Sequence, residues 1–249
     1  MGYEELMVGH VLPLVICKRV AVGEYELVRI AGTCFTFGEG TVVTAHHCVA
    51  DRLRPDNAYC IGLREQGWET QGGTYSDVYE VEDLSQVADF DLAIGRIGIR
   101  VDPRLTLASD PLRWGEDVVS CGYPLPLTTG NTEARNLKIS TNARLLRGYV
   151  TRLFVREDPA YPPVPAVELD MPAPPGLSGG PLFRTDPFEV VGVVVGEPIE
   201  PSGRPVDEVI YPAAEFYRFG AAHRLDTLRE AVAPATGGLP LAEHLKRSG

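Results

Sequence analysis

No run of about 20 apolar residues occurs in this 249-residue chain, so the sequence offers no membrane-spanning helix. The opening Met1-Gly2-Tyr3-Glu4-Glu5-Leu6 lacks a basic stretch followed by an apolar one, so no secretory signal is expected. Leu6 stands where an N-myristoylation pattern wants Ser or Thr. Positive charge is scarce: 23 Lys and Arg against 34 Asp and Glu leave a formal charge of −11. A nucleic-acid surface needs clustered cations to neutralise phosphates, so that partner class is set aside, and a membrane with it. The five cysteines (17, 34, 48, 60 and 121) form no Cys-x-x-Cys pair, and neither they nor the five histidines make a metal-ligand cluster. No metal and no cofactor are therefore expected. The odd cysteine count without a signal favours reduced thiols and a cytoplasmic location. Helical periodicity is also missing before residue 212, which removes a βαβ architecture.

What the chain does have is turn residues and short apolar runs. Twenty-six Gly and 21 Pro punctuate about a dozen strand-like segments, among them Val11–Ile16, Thr41–Ala45, Leu92–Ile97, Val118–Cys121, Glu189–Val195 and Val209–Tyr211. Strands at such spacing imply an all-β sandwich or barrel. Proline-dense stretches at Pro159–Pro165 and Pro172–Pro175 read as connections, because proline cannot donate to a ladder. One helix is expected, over Ala213–Val232, with apolar residues at Phe216, Phe219, Leu225, Leu228 and Val232.

Three stretches carry chemistry, in this order: Thr44-Ala45-His46-His47-Cys48, Asp89-Phe90-Asp91-Leu92-Ala93 and Gly176-Leu177-Ser178-Gly179-Gly180-Pro181. Together they provide a base, a carboxylate to orient it and a hydroxyl nucleophile, the minimum set for acyl transfer. A general base needs an imidazole held on a rigid strand end, and Gly40–Ala45 is a β-branched run that delivers the histidines there. The glycines around Ser178 allow backbone N–H groups to converge on a developing oxyanion. From the residues alone, His46 competes with His47, and Asp89 with Asp91.

These stretches resemble the Thr-Ala-x-His-Cys, Asp-x-Ala and Gly-x-Ser-Gly-Gly-Pro boxes of the trypsin/chymotrypsin-like serine proteases, including bacterial trypsin-like peptidases and HtrA-like protease domains. Val118–Pro124 is similar to the strand and Gly-Tyr-Pro turn of those bacterial members, and the resemblance covers about residues 30 to 212. It implies two packed six-stranded antiparallel β-barrels with a C-terminal helix. Residues 1–212 would form the protease domain, the first barrel spanning about 11–100 and the second about 101–212, with 213–249 as helix and tail. It implies His47 as base, Asp91 as its orienting carboxylate, Ser178 as nucleophile, and the amides of Gly176 and Ser178 as the oxyanion hole. Pro172 aligns with the base of the specificity pocket, and Val194, Val195 and Gly196 with the strand that pairs with the substrate backbone. The activity implied is that of a serine endopeptidase cutting a polypeptide after small or apolar residues, with a protein activator or regulator as a further partner.

The chain departs from that pattern in one telling place. Secreted members carry Asp before the nucleophile to receive a new N-terminus, whereas this chain has Leu177, which cannot accept an ammonium. The oxyanion loop must then be ordered by packing or by a partner. Cys34 and Cys48 match a disulfide of secreted members, with reduced thiols favoured here on compartment grounds. Two other functions fit part of the pattern: a catalytically silent protease-like binding module, and a serine esterase built on a Gly-x-Ser-x-Gly elbow with Asp207 and His223 downstream.

Overall fold

The computed structural model describes residues 9–21, 24–50, 55–64, 73–101, 105–124, 131–133, 136–139, 143–158, 161–196 and 220–248. The first half contains β1 (Val11–Ala21), β2 (Glu24–Thr36), β3 (Thr41–Thr44), β4 (Asn57–Arg64), β5 (Gly73–Glu80), β6 (Glu82–Gln86) and β7 (Ala93–Arg96). The second contains β8 (Asp117–Gly122), β9 (Asn131–Glu133), β10 (Asn136–Ile139), β11 (Arg144–Asp158), β12 (Tyr161–Leu169), β13 (Pro181–Thr185), β14 (Phe188–Gly196) and β15 (Gly220–Arg224). Two short helices follow, α1 (Leu225–Glu230) and α2 (Leu241–Ser248).

The strands of the second half form a closed barrel in the order β11-β12-β15-β14-β13-β8, the six-stranded antiparallel ring that the resemblance implies. The first half is a sheet in the order β6-β7-β3-β2-β1-β4-β5-β10-β9. Its two flanks are joined covalently, since Val81 alone separates β5 from β6, and the Val81 amide donates to Tyr59 O of β4 at 2.8 Å. A strand that bends at one residue and pairs with a different neighbour on each side is how a sheet turns a corner. The β9–β10 hairpin extends this sheet by pairing with β5, although its residues fall in the stretch expected to build the second barrel.

Strands buried along most of their length, β3, β13 and β14 among them, mark where the halves meet. A shared apolar cluster takes Val11, Phe35, Leu92 and Ile94 from the first half and Tyr123, Phe183 and Val193 from the second, with Leu228 and Leu241 of the helices sealing it. Burial of such side chains contributes roughly 1.5–3 kcal/mol each, which fixes the two halves against each other.

Two sequence expectations need correction. The helix expected over Ala213–Val232 is not continuous: its first seven residues lie outside the described ones, Gly220–Arg224 is β15, and only Leu225–Glu230 is helical. β15 pairs with β12 on one side and β14 on the other, and this closes the second barrel with residues beyond the expected boundary at 212. Gly220-Ala221-Ala222 are good helix formers apart from the glycine. Barrel closure satisfies both edges of the segment at once, and that outweighs propensities of a few tenths of a kcal/mol per residue. The strand expected at Val209–Tyr211 lies outside the described residues. The second correction concerns Pro159–Pro165, expected as a connection: Tyr161–Leu169 is β12, with Pro162, Pro163 and Pro165 inside it. β15 meets β12 only at Ala166–Leu169, so the proline-bearing end has a ladder partner on one side alone, where missing N–H groups are tolerated.

Candidate active site

The β-branched run Thr41-Val42-Val43-Thr44 is fully buried as β3 between β2 and β7. It ends in a single 3₁₀ turn, His46–Cys48, closed by Cys48 N–H to Ala45 O and Val49 N–H to His46 O. A stiff central strand followed by a tight turn holds the two imidazoles in different directions. His46 Nδ1 lies 2.9 Å from the Tyr161 hydroxyl on β12. His47 faces the Asp91 carboxylate, with Nδ1 2.8 Å from Oδ2 and the backbone N–H donating to Oδ1 at 2.8 Å.

Asp91 reaches that position from the turn before β7, in which Val87 N–H donates to Leu92 O and Phe90 N–H to Val87 O. The turn places Asp89 at φ +68 and leaves it exposed, whereas Asp91 is 1% exposed. The competition between the two carboxylates is thus decided by the fold, and so is that between the two histidines. With both oxygens of Asp91 accepting from His47, the neutral imidazole carries its proton on Nδ1 and presents Nε2 as the base.

The electrostatics of this pair follow from burial set against hydrogen bonding. Burial opposes ionisation of both partners. For His47 the hydrogen bond to Asp91, the neighbouring Cys48 and the carboxylate charge outweigh it, and the imidazole is raised above its ordinary value. The ring keeps 42% of its side-chain surface exposed, so water screens part of this. For Asp91 the two bonds from His47 and the charge of Arg156 overcome burial and hold the carboxyl well below its usual range. His46 and His223 are both lowered by burial, His223 to about 4, so both are neutral near pH 7.

Ser178 lies on the turn between residue 170 and β13. Its carbonyl accepts from Thr33 N–H at 3.0 Å and lies 3.5 Å from Cys48 Sγ, which lashes the serine turn to β2 and to the histidine turn. Gly179 follows at φ +85, its amide bonded to Val194 O at 2.8 Å. A Cβ on Gly179 would lie 2.1 Å from Thr33 O and 2.2 Å from Thr44 Oγ1, so only glycine lets the serine turn approach β3 this closely. Gly176 also has positive φ, at +95, and its carbonyl accepts from the Thr33 hydroxyl at 2.6 Å. Among the described residues, the amides of Gly176 and Ser178 donate to no backbone carbonyl.

The remaining expected residues surround this turn. Val194 is buried against Ala173 and Leu177, and both its backbone groups are committed, to Gly179 and Gly180. Val195 is buried, and Gly196 comes so near Ser178 that a Cβ there would lie 3.9 Å from Ser178 Oγ. Pro172 is exposed on the stretch leading to Gly176. Sequence reasoning missed Thr33, whose hydroxyl ties Gly176 O to the Tyr123 amide at 2.6 and 3.0 Å, and it missed Arg156 and Tyr161. No local motif marks any of the three, because their partners lie far away in the chain.

No group of side chains suited to a metal ion is present among the described residues. The five cysteines are free thiols, Cys34 Sγ donating to Leu12 O and Cys48 Sγ to Ser178 O. The esterase elbow finds no counterpart, since Ser178 is followed by a turn and then β13, where that elbow requires a helix.

The Trypsin-like peptidase domain family matches residues 32–193. The chain belongs to it. It is a serine protease of that family, and its substrate is a polypeptide. Solved structures of the same fold include the active form of the Rv3671c protease from M. tuberculosis, at 19% identity and TM-score 0.55, covering 88% of this chain and 77% of that one. The inactive form of the same protease gives 17% identity and TM-score 0.56, covering 99% and 91%. The MamO protease domain from Magnetospirillum magneticum gives 14% identity and TM-score 0.58, covering 89% and 95%. No curated protein matches the sequence.

Proposed function

We propose that the chain is a serine endopeptidase in which Ser178 attacks the scissile carbonyl, His47 takes and returns the proton, and Asp91 orients His47. The observation that carries this reading is the clamp between His47 and Asp91, two bonds of 2.8 Å, beside the glycine-framed Ser178 turn. The Ser178 Oγ–C bond forms as the proton passes to His47 Nε2. Collapse of the tetrahedral intermediate breaks the C–N bond, and His47 hands that proton to the departing amine. Water then resolves the acyl-enzyme by the same route. The amides of Gly176 and Ser178, free of backbone acceptors, are the proposed oxyanion donors.

Ordering of the nucleophile turn is assigned to packing. Leu177, at 0% exposure, fills an apolar nest with Ala173 and Val194, and Thr33 ties down Gly176 O. On this reading the purified protein turns over without a partner, and an activator that raises turnover from near zero would refute it. Backbone pairing of the substrate falls to Val195, the bulge residue between Val194 and Gly196, which are themselves paired with Ala222 and Ala221 of β15. The absence of a carboxylate at Pro172 favours small or apolar residues before the cut; a peptide library cleaved only after Arg or Lys speaks against this. The proposed cytoplasmic location rests on the odd number of cysteines, and thiol counting on protein taken from cells tests it.

The decisive experiment is labelling by a fluorophosphonate. Label should appear on the wild type at Ser178 and vanish in both Ser178→Ala and His47→Ala. A folded wild type that takes no label is a binding module.

A further inference from the structure

The β11–β12 hairpin reaches from the second barrel to the first half of the chain through Tyr161 and Arg156, with Phe154 on the same hairpin. Phe154 packs against an apolar cluster that includes Leu12, Cys48 and Tyr59. The Tyr161 hydroxyl lies 2.9 Å from His46 Nδ1. Between them, Arg156 places Nη1 3.4 Å from Asp91 Oδ2. That oxygen is also the one that lies 2.8 Å from His47 Nδ1. Arg156 is 5% exposed and Asp91 1%, so the two charges meet with little water to screen them. A buried guanidinium costs desolvation that a surface arginine avoids, and its site beside the orienting carboxylate gives that cost a use.

We propose that Arg156 is a positioning residue for the catalytic set: reaching across from the second barrel, it fixes the Asp91 carboxylate, shares Oδ2 with His47, and so limits how tightly that carboxylate holds the imidazolium. The inference rests on the reading of His47, Asp91 and Ser178 given above. One carboxylate oxygen has a finite negative charge to offer. A permanent cation drawing on it weakens its pull on the His47 proton, so a neutral base becomes available at lower pH than Asp91 alone would permit. Among the described residues, other titratable groups facing this centre are His46 and Cys48 on the histidine turn, Tyr161 on β12 and His223 on β15. Burial keeps both of these histidines neutral, so they add no comparable charge.

The test is the pH profile of the fluorophosphonate labelling rate. In Arg156→Met the acid limb should move up by about one pH unit, so that labelling below the limb slows by about tenfold, while Arg156→Lys, which keeps the charge, returns the limb to its wild-type position. A folded Arg156→Met with an unmoved limb overturns the proposal, even if its overall rate falls, because a merely structural brace would lower the rate without shifting the limb. Should the methionine variant not fold, the guanidinium NMR signals of Arg156 in the wild type decide. They should shift in step with the His47 titration, and flat signals overturn the proposal. If the wild type takes no label, the catalytic reading falls, and the same NMR titration still shows whether Arg156 and His47 are coupled through Asp91.

Discussion

The two halves of the site are held by different physics. On the first barrel, His47 and Asp91 are joined by short, charge-assisted bonds from one imidazole and one amide to one carboxylate. On the second, Ser178 carries no such partner among the described residues: its turn is fixed by main-chain bonds to Thr33 and Val194, by glycines at positive φ and by the apolar seat of Leu177. One half is tuned by protons, the other by shape. Changes on the histidine side should therefore appear as altered pH dependence, and changes on the serine side as altered order and stability.

The sharpest way to break this contrast is Asp91→Asn. It preserves shape but cannot hold the imidazolium or the required tautomer, and turnover should fall by roughly 10⁴-fold with Ser178 still in place. A fall below tenfold would mean that the carboxylate is not the orienting group. Leu177→Ala acts on the other half. Emptying a seat that is 0% exposed should cost about 2–5 kcal/mol in urea or thermal unfolding, and should slow labelling of Ser178 without moving its pH profile. A shifted profile would show that the halves are not separable.

The pH dependence sharpens the comparison further. His47 must be neutral to act, and its raised basicity puts the acid limb of kcat/KM above the ordinary histidine value of about 6.5. Stability has the opposite sign. The contribution from His47 is complete below about pH 6.5 and fades as pH rises through the raised folded value, whereas that from Asp91 is complete above about pH 4 and fades as pH falls through its depressed one. The protonation state that binds the pair most tightly is thus the inactive one. Stability and turnover followed over the same pH range should move in opposite directions across the limb. The smallest effect is expected for Asp89→Asn: the side chain is exposed, and activity should stay within about twofold of wild type, because surface substitutions rarely exceed half a kcal/mol.

Much of the site was legible because its parts are local motifs. The β-branched run before His47, the turn after Asp89 and the glycines about Ser178 each need particular residues at particular spacings, so the pattern survives in one dimension. The segment at Gly220–Arg224 was not legible in this way. Its alanines favour a helix, and only the two strands waiting on either side make it a strand. Pro162–Pro165 misled for a related reason: whether proline is admissible depends on which edge of the strand is paired, and that is a property of the neighbours.

The sequence by itself determined the family and hence the serine-protease class, since the Ser, His and Asp boxes are short motifs that survive in one dimension. The tertiary structure alone decided which histidine and which aspartate meet, which late segment closes the second barrel, and that Arg156 arrives beside Asp91. The reason is range: a motif records what a residue needs from its immediate neighbours along the chain, whereas a buried charge or a barrel's closing strand is defined by partners that only folding brings near.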